Sequence, residues 1–87
     1  MKPVVSTRLT THAAEMLARR GLALEWIEDT LRDPTITKTD ESDPALKLAF
    51  RKIRQADDKW LRVVYRMDKS DHLIITAFFD RGMEKQK

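Results

Sequence analysis

Residues 10–34, TTHAAEMLARRGLALEWIEDTLRDP, decide the fold of this chain. They predict two short helices that join at Gly21 and stop at Pro34. Glycine readily takes the left-handed conformation that ends a helix, and proline biases the residue before it out of helical geometry. After Pro34 the pattern favours strands, so helices come first and strands follow. That order predicts an α+β domain.

Each predicted helix carries one apolar stripe at helical spacing. The first begins at Thr10 or Thr11, either of which can cap it, and the second runs from about Leu24 to Arg32. We expect these side chains to face the core: Ala13, Met16 and Leu17 from the first helix, and Leu24, Ile27 and Leu31 from the second. The two helices should therefore cover one face of a sheet.

The charge of the second helix argues against a helix-turn-helix that reads DNA. From Leu24 to Asp33 one arginine stands against four carboxylates, which gives a net charge of −3. Bringing such a helix against phosphates is electrostatically unfavourable. The helices are better explained as cover for the sheet.

The rest of the chain predicts a three- to four-stranded antiparallel sheet, with a turn at Asp57-Asp58. The central strands alternate with period 2, as half-buried strands do. The apolar phase breaks at Ile53, so we expect a β-bulge near Arg51 and Lys52. The predicted strands are residues 35–39, 46–51, 60–67 and 72–79.

Alternation assigns the strand side chains to two faces. If Tyr65 pairs with Ile75, Arg62 lies opposite Phe78. Toward the helices we expect Leu48, Phe50, Leu61, Val63, Tyr65, Ile75 and Phe79. Toward the other side we expect Lys47, Arg51, Trp60, Arg62, Arg66, Thr76 and Phe78.

The net charge of +3 is concentrated in residues 51–69, where seven basic and three acidic residues give +4. Such a concentration favours a phosphate-rich partner, but it also protects an edge hairpin against aggregation. Cations beside aromatic rings suit single-stranded nucleic acid, because bases stack while guanidinium groups bind phosphates. Alternatively, Trp60 and Phe78 cover the sheet or form a contact in a homo-oligomer.

Composition excludes several classes of protein. The 87 residues predict one domain, 1–87, with frayed ends at about 1–6 and 82–87. The absence of cysteine rules out disulfides and thiolate metal sites, and the two histidines show no metal-ligand spacing, so we expect no metal and no cofactor. No apolar stretch approaches the ~18 residues of a membrane span. We therefore expect a cytoplasmic location and no membrane partner.

Several short motifs occur in order along residues 8–79: His12-Ala13, Met16, Arg20-Gly21-Leu22, Ile27, Leu31, Pro34, Val63-Val64-Tyr65 and Ile75-Thr76. This pattern resembles domain-of-unknown-function family 4258. That family is similar in plan to the RelE/ParE/BrnT toxins, small basic α+β proteins of bacterial toxin–antitoxin pairs. The resemblance implies a RelE-like fold, metal-independent cleavage of ribosome-bound mRNA, and an antitoxin partner. Because the ParE type inhibits gyrase, a non-catalytic protein-binding domain stays open as the alternative.

Metal-free RNA cleavage needs a base, a cation that stabilises the phosphorane charge, and a proton donor. The candidate catalytic residues are His12, Arg62 and Arg66. An imidazole can serve as a general base, which makes His12 a candidate, although a helix-start residue whose ring bonds to nearby backbone is the preferred explanation of it. The candidate nucleic-acid-binding residues are Lys47, Arg51, Lys52, Arg54, Trp60, Arg62, Arg66 and Arg81.

Overall fold

Two helices and five strands make up residues 6–82, the part of the chain that the computed structural model describes. In chain order they are β1 (Thr7–Leu9), α1 (Thr11–Arg20), α2 (Leu24–Arg32), β2 (Ile36–Thr39), β3 (Lys47–Ile53), β4 (Lys59–Asp68) and β5 (Asp71–Phe79), with a 3₁₀ turn at Arg54–Ala56. The frayed ends, predicted at about 1–6 and 82–87, lie outside the described residues except for Ser6 and Gly82. No helix within 6–82 is long and apolar enough to cross a membrane.

Both ends of α1 follow from local chemistry, and the prediction for this helix is confirmed. Thr10 is the N-cap, and its hydroxyl accepts a hydrogen bond from the N–H of Ala13 at 3.0 Å. Gly21 ends the helix with φ +66°, the left-handed conformation that glycine adopts without strain. Arg20 is the last residue of α1, and its side chain reaches the edge of the sheet at residue 77.

The bounds predicted for α2 are also confirmed, but one of its core residues was assigned wrongly. Leu24 is 41% exposed, whereas Ile27 is completely buried. Trp26 packs on the core instead, with its ring centroid 6.3 Å from that of Phe79. Thr30 is buried as well, and its hydroxyl donates to the carbonyl of Trp26 at 2.7 Å, so that no polar group is left unsatisfied there.

The sheet is mixed and five-stranded, in the order β1-β5-β4-β3-β2, so the prediction of three to four antiparallel strands was wrong. The extra strand is β1, which runs parallel to β5 with Thr7 opposite His72 and Leu9 opposite Ile74. Three residues are too few to show a period of 2, which is why the sequence did not reveal this strand. The remaining neighbours are antiparallel, as predicted.

The β-bulge lies in β5 and not near Arg51 and Lys52, where it was predicted. The pairing of β3 with β4 is continuous from Lys47 opposite Tyr65 to Ile53 opposite Lys59. Between β4 and β5, Val64 pairs with Thr76 while the next residue, Tyr65, pairs with Ile74. Ile75 is therefore the extra residue, and the expected pairing of Tyr65 with Ile75 was wrong. The pairing of Arg62 with Phe78 is confirmed.

Apolar clusters lie on both faces of the sheet, and this explains the break in phase at Ile53. The cluster under the helices contains Ala13, Leu17, Leu22, Ile27, Ile53, Leu61, Val63, Ile74 and Ala77. The second cluster contains Leu48 and Phe50, with Ile36, Trp60 and Val64 packed against them. Leu48 and Phe50 thus face away from the helices, contrary to the prediction. Lys47 and Arg51, which alternate with them, lie on the helix side instead.

Candidate nucleic-acid interface

The helices cover one face of the sheet, and the other is termed here the open face. Strand register places on it Ile36 and Lys38 from β2, Leu48, Phe50 and Lys52 from β3, Trp60, Arg62, Val64 and Arg66 from β4, and Leu73, Thr76 and Phe78 from β5. Its apolar members bury one another, as the second cluster shows. Asp68 and Asp71 lie on the same face at the far end of β4 and β5, where both carboxylates pair with Arg8. The charged strand residues in the rest of the face are basic.

Arg62 lies at the centre of the open face, between two aromatic rings. Its register partners are Phe50 on β3 and Phe78 on β5. The guanidinium carbon lies 5.5 Å from the ring centroid of Phe50 and 5.4 Å from that of Phe78. Each contact is of the cation–π type, worth about 0.5–1 kcal/mol at a partly exposed site. The two rings therefore fix where the positive charge sits.

Two more cations continue this arrangement across the sheet. The guanidinium of Arg20 lies 5.9 Å from the ring centroid of Phe78, and the ammonium of Lys38 lies 5.9 Å from that of Phe50. We term this set the cation–aromatic row: Arg20, Phe78, Arg62, Phe50 and Lys38. Beside the row, Lys52 lies over the ring of Trp60 at 5.7 Å.

Arg20 joins the row because of the way the sheet ends. Strand β1 pairs only with residues 72–74 of β5, so the later part of β5 has no strand beside it. There Arg20 donates from Nη1 to the carbonyl of Ala77 at 2.7 Å. Arg20 and Lys38 were not among the predicted binding residues. The sequence does not show where the side chain of an arginine at a helix end will lie. Lys38 could have been assigned to the open face, because side chains alternate between the two faces along β2.

Arg62 has donors to spare. Nη1 lies 3.4 Å from Asp80 Oδ2, whereas Nε is buried without a hydrogen-bond partner in residues 6–82. The other Asp80 oxygen accepts the N–H of Gly82 at 2.9 Å. A guanidinium offers five N–H donors; the one on the buried Nε is not reached by a ligand, but one long ion pair leaves donors of the two terminal nitrogens available. The arrangement is suited to receiving a further anion.

A shallow pocket of ≈ 300 Å³ opens between Lys38 and Arg62, with Leu48 beneath it. Its other wall is the acidic loop at residues 40–42. The Asp40 carboxylate is occupied, since it accepts the N–H groups of Ser42 at 3.1 Å and Asp43 at 2.9 Å. These hydrogen bonds fix the shape of the loop. Its negative charge lies next to the cation–aromatic row.

The three candidate catalytic residues do not meet. His12 is exposed in the first turn of α1, and the eight residues from it to Arg20 span about 12 Å along the helix axis. Arg66 does lie on the open face, but it is four positions along β4 from Arg62, about 13 Å. The described part of the chain brings no histidine to the arginines of the open face.

The candidate binding residues divide into two groups. Lys52, Trp60, Arg62 and Arg66 share the open face, while Arg54 and Arg81 are exposed at the ends of strands. Lys47 donates to the Thr39 hydroxyl at 3.3 Å on the helix side. Arg51 donates to the Asp33 carbonyl at 2.6 Å and to its carboxylate at 3.0 Å. Arg51 thus ties the end of α2 to β3, and its predicted place on the opposite face was wrong.

The titratable groups on the helix side offer no second site. Burial raises the pKa of Tyr65 above its ordinary value, and its ring lies 5.2 Å from that of His72. His72 also has Nδ1 3.3 Å from the carbonyl of Ser6. Among residues 6–82, no three His, Cys, Asp or Glu side chains come together where they could hold a metal ion.

Fold and surface together define a small α+β domain with a basic, aromatic-bearing sheet face. The chain matches the domain-of-unknown-function family DUF4258 over residues 9–79 and belongs to that family. No curated protein and no solved structure matches it. The predicted family is thereby confirmed, and the further resemblance to the RelE/ParE/BrnT toxins stays a prediction.

Proposed function

We propose that this protein binds single-stranded RNA along the open face. The cation–aromatic row carries the proposal, because Arg20, Arg62 and Lys38 are held over two phenylalanine rings in one line across the sheet. Cations fixed by the folded protein lose little conformational entropy when they bind a phosphate. From β2 to β5 the row extends roughly 14 Å, three strand spacings.

Trp60 supplies the element that favours an unpaired strand. It is half-buried near the start of β4, beside the row, with Lys52 over its ring. Stacking of a base on an aromatic ring contributes about 1–3 kcal/mol and requires an unpaired base. A ring that can stack beside a line of phosphate-binding cations suits a single strand better than a duplex.

The resemblance to the RelE/ParE/BrnT toxins supports RNA as the nucleic acid, with the ribosome and an antitoxin protein as partners. The nucleases among those toxins bind RNA and cleave it. The geometry of this protein favours binding without cleavage. His12 lies far along α1 from Arg20, and both oxygens of the Asp80 carboxylate are engaged by Arg62 and Gly82. Neither is placed as a free base beside the row.

A protein-docking role is the second candidate, and one observation favours it. Ile36, Val64 and Leu73 lie half-buried on the open face between the cations. A partner that covered these side chains would bind chiefly by apolar burial, and its affinity would depend weakly on salt. The two candidates therefore differ in a measurable quantity.

The test is a salt titration of the binding of a fluorescent oligouridine. Four cations on or beside the row (Arg20, Lys38, Lys52 and Arg62) predict a slope of log affinity against log salt of about −2.8. A slope near zero, or no binding at low salt, would refute the proposal and leave protein docking. The oligonucleotide should also stay intact on a gel after prolonged incubation, since cleavage would contradict binding alone.

A further inference from the structure

A second, smaller pocket lies at the end of the sheet, beyond the cation–aromatic row. It measures ≈ 260 Å³ and is lined by Lys59, Trp60, Phe79, Asp80 and Arg81. These residues come from the start of β4 and from the chain that leaves β5. The two segments are joined by the N–H of Asp80, which donates to the carbonyl of Trp60 at 2.8 Å.

The pocket has two aromatic walls that the fold keeps in place. Phe79 packs on its inner side against Trp26, and the ammonium of Lys59 lies 5.7 Å from the Phe79 ring centroid. Trp60 approaches from the open face. Trp60 and Phe79 thus line the pocket from opposite faces of the sheet. Its ≈ 260 Å³ lies just below the usual range of small-ligand sites and leaves room for one planar ring of nucleobase size.

The charges at this pocket favour an anion of more than one charge. The Asp80 carboxylate is occupied by Arg62 and by the N–H of Gly82, as described above. Lys59 and Arg81 are exposed, and neither forms a salt bridge with any residue of 6–82. Two cations thus stand at the rim without a carboxylate from the described chain to neutralise them.

We propose that this pocket binds the terminal nucleotide of the RNA strand through a terminal phosphate monoester. This inference rests on the function proposed above. A terminal monoester carries a charge of about −1.5 to −2 at neutral pH, against −1 for an internal phosphate, and so matches Lys59 and Arg81 better. The base of that nucleotide lies against Trp60 and Phe79, and the strand continues past Arg62 onto the row.

The test compares three oligouridines of equal length, with a 5′-phosphate, a 3′-phosphate or hydroxyls at both ends. One phosphorylated end should raise the affinity about tenfold, equivalent to one hydrogen bond between charged groups. The double variant Lys59→Gln/Arg81→Gln should lose this difference. Lys69→Gln, an exposed lysine at the opposite end of β4, is the matched control and should keep the difference. Circular dichroism and thermal unfolding verify that each variant folds.

Equal affinity for all three strands, or a difference that survives in the double variant, would overturn the pocket and leave RNA binding intact. If no oligonucleotide binds, the proposed function has failed, and the pocket is then judged with uridine monophosphate alone. Its binding should shift the indole N–H resonance of Trp60 in an NMR titration and leave that of Trp26 in place. The absence of a shift at Trp60, or an equal shift in the double variant, would overturn the pocket as well.

Discussion

Replacing Arg62 by methionine should separate RNA binding from stability. Methionine keeps the long side chain over Phe50 and Phe78 and removes the charge and all five N–H donors. Arg62 is the only cation of the described chain that contacts both rings. The variant therefore removes the centre of the cation–aromatic row and leaves the second apolar cluster covered.

The effect on stability can be estimated from the contacts of Arg62. The variant loses a partly buried ion pair with Asp80, about 0.2–1 kcal/mol, and two cation–π contacts of about 0.5–1 kcal/mol each. In the wild type the buried Nε has no acceptor and destabilises the fold by about 1–3 kcal/mol, a cost that the variant no longer has. The variant also gains sulfur–aromatic contacts of about 0.3–1.5 kcal/mol. These terms nearly cancel, and the free energy of unfolding should stay within about 1 kcal/mol of the wild type. The midpoint of thermal unfolding should move by no more than roughly 8 °C.

The effect on binding should be clear in the same variant. With one phosphate contact fewer, the salt slope should change from about −2.8 to about −2.1. Fluorescence anisotropy over a series of salt concentrations measures the slope, and urea unfolding measures the stability. Lys69→Gln removes the same charge at the turn between β4 and β5 and should leave the slope unchanged.

Two results would refute this reasoning. If Arg62→Met and Lys69→Gln give the same slope, Arg62 contributes only to the net charge and not to a phosphate contact. If Arg62→Met lowers the free energy of unfolding by more than about 3 kcal/mol, its stacking between the rings is structural and the cancellation above is wrong.

Three further predictions concern the fold around the interface. Thr10→Ala should destabilise the protein by about 1 kcal/mol in urea unfolding, through the lost cap to Ala13, and a neutral result would show that the cap is dispensable. Arg51→Met should cost about 1–2 kcal/mol through its lost bonds to Asp33 yet leave the salt slope of RNA binding unchanged; a changed slope would return Arg51 to the interface. Tyr65, the chain's one tyrosine, should titrate above 10.0 in ultraviolet absorbance, because burial raises its pKa. Since the folded state then holds this proton more tightly than the unfolded state, the free energy of unfolding should fall as the pH rises past about 10, and a pH-independent plateau there would contradict the assignment.

The helices were predictable from sequence because their signals are local. Thr10 caps α1 through a residue three positions away, and Gly21 ends it through its own backbone conformation. The pairing of Arg62 with Phe78 was predicted correctly, but it depends on the bulge at Ile75, since the register at the turn alone would place Ala77 opposite Arg62. Where a structural feature depends on residues that are near one another in the chain, the sequence pattern is enough to predict it.

The features that were missed depend on distant parts of the chain. Strand β1 is recognisable only through its pairing with β5. The face of Phe50 was assigned wrongly, because an apolar residue in a central strand can be buried on either side of the sheet. Its contacts with Arg62 and Lys38 show that it lies on the open face. For the same reason Arg51 was assigned to binding, although its partner is the end of α2.

Strand β1 also has a consequence for the order of events when the chain folds. Ser6 and Asp71, which hydrogen-bond to each other, are 65 residues apart in the sequence, whereas β3, β4 and β5 follow one another through short turns. Closing the longer loop costs more chain entropy, so the three-strand meander should form early and β1 should pair late. During synthesis on the ribosome β1 emerges first but has no partner until β5 has been made. After β5 has been made and before β1 pairs with it, the outer edge of β5 can pair with another strand, and a misfolded or aggregated product would arise there.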